Sequence, residues 1–135
     1  MEIIPKITEE RPIIEAIEIM KKEKREFLPV VDENNILKGS ITELDLIKLV
    51  KYEPNTPMGG SVWSDVIEKK DAEKSVKEMM NTKAVSVFPT DNLDAVLKVM
   101  NSNNVYTLPV TEKNGNFLGI VRMSVIFSKL LKEGE

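Results

Sequence analysis

Thr42 and Asp45 are the side chains whose types and spacing offer chemistry. In Gly39-Ser40-Ile41-Thr42-Glu43-Leu44-Asp45-Leu46 a threonine opens a helical pattern and an acid follows one turn later. Free N–H groups and the positive dipole end at a helix start attract an anionic phosphate, and the threonine hydroxyl can donate to it. A carboxylate on the same edge accepts both hydroxyls of a ribose in a paired geometry. Together they suit a nucleotide. The same residues have a plainer use, with Thr42 capping the helix and Asp45 a first-turn acid favoured by the dipole.

Other chemistries are hard to build from this chain. Its 135 residues include no histidine and no cysteine, which removes imidazole and thiol nucleophiles, disulfides and the usual transition-metal ligands. Acids are numerous, but no spacing gives a carboxylate dyad or a metal cage, and Gly59-Gly60-Ser61 lacks the lysine of a phosphate-binding loop. A catalytic function and a metal site are therefore not expected. The formal net charge of −3 argues against a general nucleic-acid binder, whose affinity rests on neutralising phosphates. Met1 to Lys6 lacks the basic start of a signal peptide, and no apolar run reaches the ~18 residues of a membrane span. With no cysteine, a cytoplasmic location is the expectation.

The elements that must position Thr42 and Asp45 emerge from an internal repeat. An offset of 80 positions places Met20 on Met100, Leu28-Pro29-Val30 on Leu108-Pro109-Val110, Asn34 on Asn114 and Gly39 on Gly119 without a gap. Each copy opens on a helical face, Ile13, Ala16, Ile17 and Met20 or Leu93, Val96, Leu97 and Met100. Asp91 or Asn92 can cap the second of these helices. Strands follow at Phe27 to Val31 and Tyr106 to Val110, where the proline argues for an edge or a distortion rather than a fully paired central strand. Asn-rich and Gly-rich turns lead to return strands at Ile36 to Ile41 and Asn116 to Val121. Helices over Glu43 to about Tyr52 and Ser124 to about Lys132 close the copies. Leading strands are expected at Glu2-Ile3-Ile4 and Ala84 to Phe88.

The organisation predicted is α+β: two β-α-β-β-α units, residues 1–52 and 83–135, joined by a connecting segment, 53–82, with helices over Val62 to Glu68 and Ala72 to Met80. One unit cannot bury its apolar face alone, so the two must pack sheet to sheet about an approximate two-fold axis, which creates two equivalent clefts. Met79-Met80 fit core filling, Lys21 to Arg25 a solvated helix end, and Trp63 local packing or an interface.

The chain resembles a tandem cystathionine-β-synthase (CBS) domain pair, or Bateman module. The likeness rests on the order Val76 to Met80, Ala84 to Val87, Leu93 to Met100, Leu108-Pro109-Val110 and Phe117 to Val121, with Leu28 to Asp32 and a Gly-x-x-Thr-x-x-Asp signature at Gly39, Thr42 and Asp45 in the first copy. The second copy departs from that signature, with Arg122 and Val125 in place of the threonine and the acid.

The resemblance implies a regulatory module that senses an adenosyl ligand, AMP, ADP, ATP or S-adenosylmethionine, and signals to an effector protein. It implies a pocket of Ile41, Thr42, Asp45, Lys83, Val85, Val105 and Tyr106, with Ile41, Val85, Val105 and Tyr106 around the base and Arg122 within reach of a phosphate. The plainer use of these residues is interdomain core, and of Arg122 a solvated surface charge. A homodimer formed through the helices is a further expectation. The rivals are a ligand-free dimerisation scaffold and a different ligand class, such as RNA or a metal-bound nucleotide.

Overall fold

The computed structural model describes residues 1–51, 66–83 and 85–133. Two copies of one βαββα unit account for most of it. In the first, β1 (Ile7–Thr8) pairs parallel to β2 (Phe27–Val31), which pairs antiparallel to β3 (Leu37–Thr42). Helix α1 (Ile13–Glu23) lies between β1 and β2, and α2 (Glu43–Ile47) follows β3. Strand β4 (Val50–Lys51) pairs with β5 (Val66–Ile67), and α3 (Lys69–Ala72) leads to a 3-10 turn at Val76–Glu78. The second copy has α4 (Leu93–Asn103), β6 (Thr107–Thr111), β7 (Phe117–Arg122) and α5 (Met123–Glu133).

The repeat extends to backbone detail. Both hairpins slip register at the same place, between Val30 and Val31 and between Val110 and Thr111. Helices α1 and α4 both end on a left-handed residue, Lys24 and Asn104, whose N–H returns to the last helical carbonyls. The hairpin tips meet reciprocally: the Leu37 N–H donates to the Gly115 carbonyl at 3.0 Å, and the Phe117 N–H donates to the Asn35 carbonyl at 2.9 Å. Such exchange is what a two-fold axis between the tips requires. Around it Ile4, Val31, Phe117 and Ile120 form a core cluster shared by the two units.

Each unit also has its own core. Ala16 and Met20 of α1 pack with Leu28, Val30 and Ile41, and Val96 and Met100 of α4 pack with Leu108 and Val110. Each fully buried Leu or Ile in these clusters contributes about 1.5–3 kcal/mol of burial free energy. Leu93, expected on the buried face of α4, is exposed at the helix start.

The structure corrects several expectations. The leading strand of the first unit is Ile7–Thr8, while Glu2 instead bridges Ile120 on the edge of the other unit's β7. Its counterpart in the second unit is a single parallel bridge, Val87 to Val110. Strand β2 is central despite Pro29, because parallel pairing begins one residue later, at Val30, and leaves the missing donor beyond the end of the ladder. Helix α2 stops at Ile47 rather than near Tyr52, since Val50 and Lys51 are drawn into pairing with β5. That pairing makes Val66–Ile67 a strand where a helix was expected; Val62 to Asp65, Trp63 and Gly59 to Ser61 lie outside the described residues. The helix expected over Ala72 to Met80 is broken because the Lys74 carbonyl accepts from Ile13 N–H and the Val76 N–H donates to the Arg11 carbonyl, so neither group can serve a continuous helix.

Candidate functional site

A cleft of about 480 Å³ opens between the units, within the range of small-molecule sites. Its walls are the segments that follow α1 and α4, Lys24 to Phe27 and Asn104 to Pro109, together with the start of α2, Asn81, Val85, Ile120 and Arg122. The two-fold brings the paired segments together, since residues 24–27 are the counterparts of 104–107. Phe27, Leu44, Ile47, Val85, Val105 and Tyr106 give the cleft an apolar lining. Leu44, Ile47 and Tyr106 are more than half exposed, so much of that lining is open to a ligand.

The expected site residues are divided by the fold. Thr42, Val85, Val105, Tyr106 and Arg122 line the cleft. Ile41 does not: it alternates inward on β3, pairs with Leu28 and is fully buried in the first unit's core. Lys83 is exposed in a turn whose N–H donates to the Asn81 side chain, away from the lining. Asp45 stands behind the wall, half-buried, on the helix that Thr42 and Leu44 present to the cleft.

Thr42 and Asp45 form a reciprocal cap. The Asp45 Oδ2 accepts from the Thr42 N–H at 2.8 Å and from the Thr42 hydroxyl at 3.1 Å, and the Thr42 Oγ1 accepts from the Asp45 N–H at 3.4 Å. The Glu43 N–H donates to the Glu26 carbonyl. The Thr42, Glu43 and Asp45 donors at this helix start are therefore engaged, and α2 has only five residues to sum into a dipole. What remains available is Asp45 Oδ1, which has no hydrogen-bond partner among the described residues.

The cationic groups are elsewhere in the cleft. Arg25 follows the left-handed cap of α1, and Arg122 ends β7, so one comes from each unit. Glu2, pinned to β7 by backbone hydrogen bonds in both directions with Ile120 at 2.8 Å, places its carboxylate between them. Glu2 Oε1 accepts from Arg122 Nε, and Oε2 accepts from Arg25 Nη1 at 3.4 Å. Burial opposes the Glu2 charge, but the hydrogen bonds and charges of Arg122 and then Arg25 outweigh it and hold its carboxyl below the usual carboxylate range. Arg122 is thus a cleft residue rather than a solvated surface charge. Arg25, Glu26 and Phe27 were legible in the sequence as the 80-position counterparts of Val105, Tyr106 and Thr107. Glu2 carried no such signal, because its partners come from remote strands.

A second, smaller pocket of about 90 Å³ lies between Met1, Glu2, the end of β7 and the start of α5; it is not the two-fold mate of the first, which itself takes counterpart residues from both repeats, Ser40 with Ile120 and Thr42 with Arg122. Among the described residues there is no cluster of acids able to hold a metal ion, and no helix is long and apolar enough to cross a membrane.

The CBS domain model matches this chain twice, over residues 2–52 and 76–132. A CBS domain-containing protein of Dictyostelium discoideum is 34% identical over 105 residues, covering 78% of this chain and 69% of that protein. Among solved structures, the CBS domain pair of protein MJ0100 in complex with 5′-methylthioadenosine and S-adenosyl-L-methionine superposes with a TM-score of 0.72 at 24% identity, covering 100% of this chain and 94% of that one. CBSX2 in complex with AMP superposes with a TM-score of 0.76 at 20% identity, covering 98% and 90%. Some matched proteins are longer, and this chain spans about half their length. Two matched units, joined through reciprocal hairpin tips about a two-fold axis, identify the chain as a member of the CBS domain family, a tandem CBS pair.

Proposed function

We propose that this chain is a non-catalytic regulatory module that takes one adenosyl ligand, AMP, ADP, ATP or S-adenosylmethionine, in the large interrepeat cleft. The observation that carries the reading is the cleft itself, which joins an apolar lining from both repeats to a pair of arginines, with the free carboxylate oxygen of Asp45 behind its Thr42–Leu44 wall. Phe27, Val85, Val105 and Tyr106 enclose the base, Asp45 Oδ1 accepts from the ribose, and Arg25 and Arg122 face a phosphate or carboxylate. The adenosyl ligands of the MJ0100 and CBSX2 complexes support the same ligand class. Ile41 and Lys83 act only indirectly, through the core and the Asn81 turn.

A ligand touching both repeats favours the arrangement in which it binds better, and only by that difference in affinity. The change is passed to a separate effector protein in the cytoplasm. A homodimer forms through exposed apolar side chains of α2 and α5, Leu44, Ile47, Phe127, Leu130 and Leu131, which sedimentation equilibrium of wild type and Phe127→Glu/Leu131→Glu tests directly. Those same exposed faces favour the rival reading of a ligand-free scaffold.

Thermal unfolding with AMP, ADP, ATP, S-adenosylmethionine and guanosine monophosphate separates the two. A one-site ligand at about 100 times its Kd stabilises by about 2.7 kcal/mol, a shift of several degrees. The sensor reading expects that shift with an adenosyl ligand and its loss in Asp45→Ala and Val85→Glu. Because Asp45 also caps α2, the ligand-induced increment is compared, not the Tm itself. No increment with any of these compounds favours the scaffold.

A further inference from the structure

We propose that Glu2 is a specificity-determining residue of the cleft, a built-in counter-ion of its two arginines that limits how many ligand phosphates the cleft accepts. The inference rests on the adenosyl reading above and names the ligand charge which that reading leaves open. The chain has three arginines, and two of them, Arg25 and Arg122, line this one cleft from opposite repeats. An arginine keeps its charge at any accessible pH, so the pair needs an anion nearby.

Glu2 is that anion. It reaches both guanidiniums with separate oxygens, and its backbone is fixed to β7 by the Glu2–Ile120 bridge, which keeps the base of the side chain beside the two arginines. Glu2 itself lies outside the cleft's lining, behind the two arginines, and the other charges in the wall are Lys24, Glu26 and Glu43. With Glu2 counted, three cations meet three carboxylates, and the cleft holds no surplus positive charge. The apolar lining rewards an adenosine moiety regardless of charge, whereas each added phosphate must share guanidiniums already engaged by Glu2. Some capacity is left for one anionic group, because Arg122 uses only Nε on Glu2 and keeps its two Nη groups. The cleft is built for an adenosyl ligand with little negative charge, and Glu2 enforces that preference.

Isothermal titration of adenosine, AMP, ADP and ATP into wild type, Glu2→Gln and Glu2→Gln/Arg122→Gln tests this, with inorganic tripolyphosphate as an adenine-free probe and Glu2→Ala as a second charge-removing variant. Circular dichroism establishes that each variant folds. The expected result is that Glu2→Gln leaves adenosine within about twofold of wild type while tightening ATP by about tenfold and AMP by less, and that Arg122→Gln cancels most of the gain. An ATP-to-adenosine ratio that is unchanged, or that falls, in both Glu2 variants overturns the proposal and leaves the adenosyl reading standing. If no adenosine compound binds any form, the adenosyl reading fails. Tripolyphosphate bound more tightly by Glu2→Gln would then still uphold the counter-ion role, and tripolyphosphate unaffected would overturn it as well.

Discussion

Replacing Gly39 with alanine tests whether the close approach between β3 and the segment before the second repeat stabilises the fold. A Cβ at Gly39 would stand 2.6 Å from the Asn81 carbonyl oxygen, where ordinary contact begins near 3.4 Å, so the two backbones must part by about 0.8 Å. That carbonyl accepts from the Ser40 N–H at 3.1 Å, and the Asn81 N–H donates to the Ser40 carbonyl at 2.9 Å. Parting them weakens both hydrogen bonds, at about 1 kcal/mol each. Displacing packed backbone adds about 1–2 kcal/mol more. The Met80 side chain, 3.2 Å from the new Cβ, is flexible and is expected to move aside at little cost. The sum is a loss of about 3–4 kcal/mol, or roughly 9–12 °C in Tm for a chain of this size. Urea unfolding with an unchanged m-value, supported by calorimetry, measures it. The repeat supplies an internal comparison, because Gly119 faces the Glu2 carbonyl in the same way and Gly119→Ala is expected to fall in the same range. A loss below about 0.5 kcal/mol for Gly39→Ala would refute the reasoning, since it would mean that the Ser40–Asn81 bridge adds nothing to stability.

Two further outcomes follow from the cap and from the ion cluster. Thr42→Val keeps the side-chain shape but removes the hydroxyl that links Asp45 to the helix start, and a loss of about 1 kcal/mol is expected in urea unfolding; no change would show that α2 is not held by its cap. The folded carboxyl of Glu2 titrates below its ordinary value of 4.5, so its pairing with Arg122 and Arg25 is fully present above that value and is lost as pH falls through the lower folded one. The stability difference between wild type and Glu2→Gln should accordingly be about 1 kcal/mol at pH 7 and close towards pH 3; a constant difference across that interval would contradict the role of the charge.

Much of the architecture was legible because the repeat made every local pattern testable twice. Leu-Pro-Val strands, Asn-rich and Gly-rich turns and the two amphipathic helices recur 80 positions apart, and the structure builds both copies from them. The expectations that failed involve competition by remote backbone. Nothing near Glu2 in the chain indicates that it bridges Ile120, and nothing within Ala72 to Met80 indicates that Arg11 and Ile13 bind the backbone of Lys74 and Val76. Short segments such as Val66–Ile67 adopt strand or helix according to the partner available, here Val50–Lys51.

The candidate site divides along the same line. The threonine and acid that mark the start of α2, the apolar residues ahead of each Leu-Pro-Val strand and the absence of histidine and cysteine are properties of the sequence, because they depend on residue type and on spacing within one element. Tertiary structure decided that Thr42 and Asp45 bind one another, that Ile41 belongs to the core, and that the main cleft draws on counterpart segments of both repeats. It also brought together Arg25, Glu2 and Arg122, one residue from each of three distant segments. Hydrogen bonds and charges act over a few ångströms of space, and the distance along the chain between such groups gives no measure of that separation until the two repeats have closed on each other.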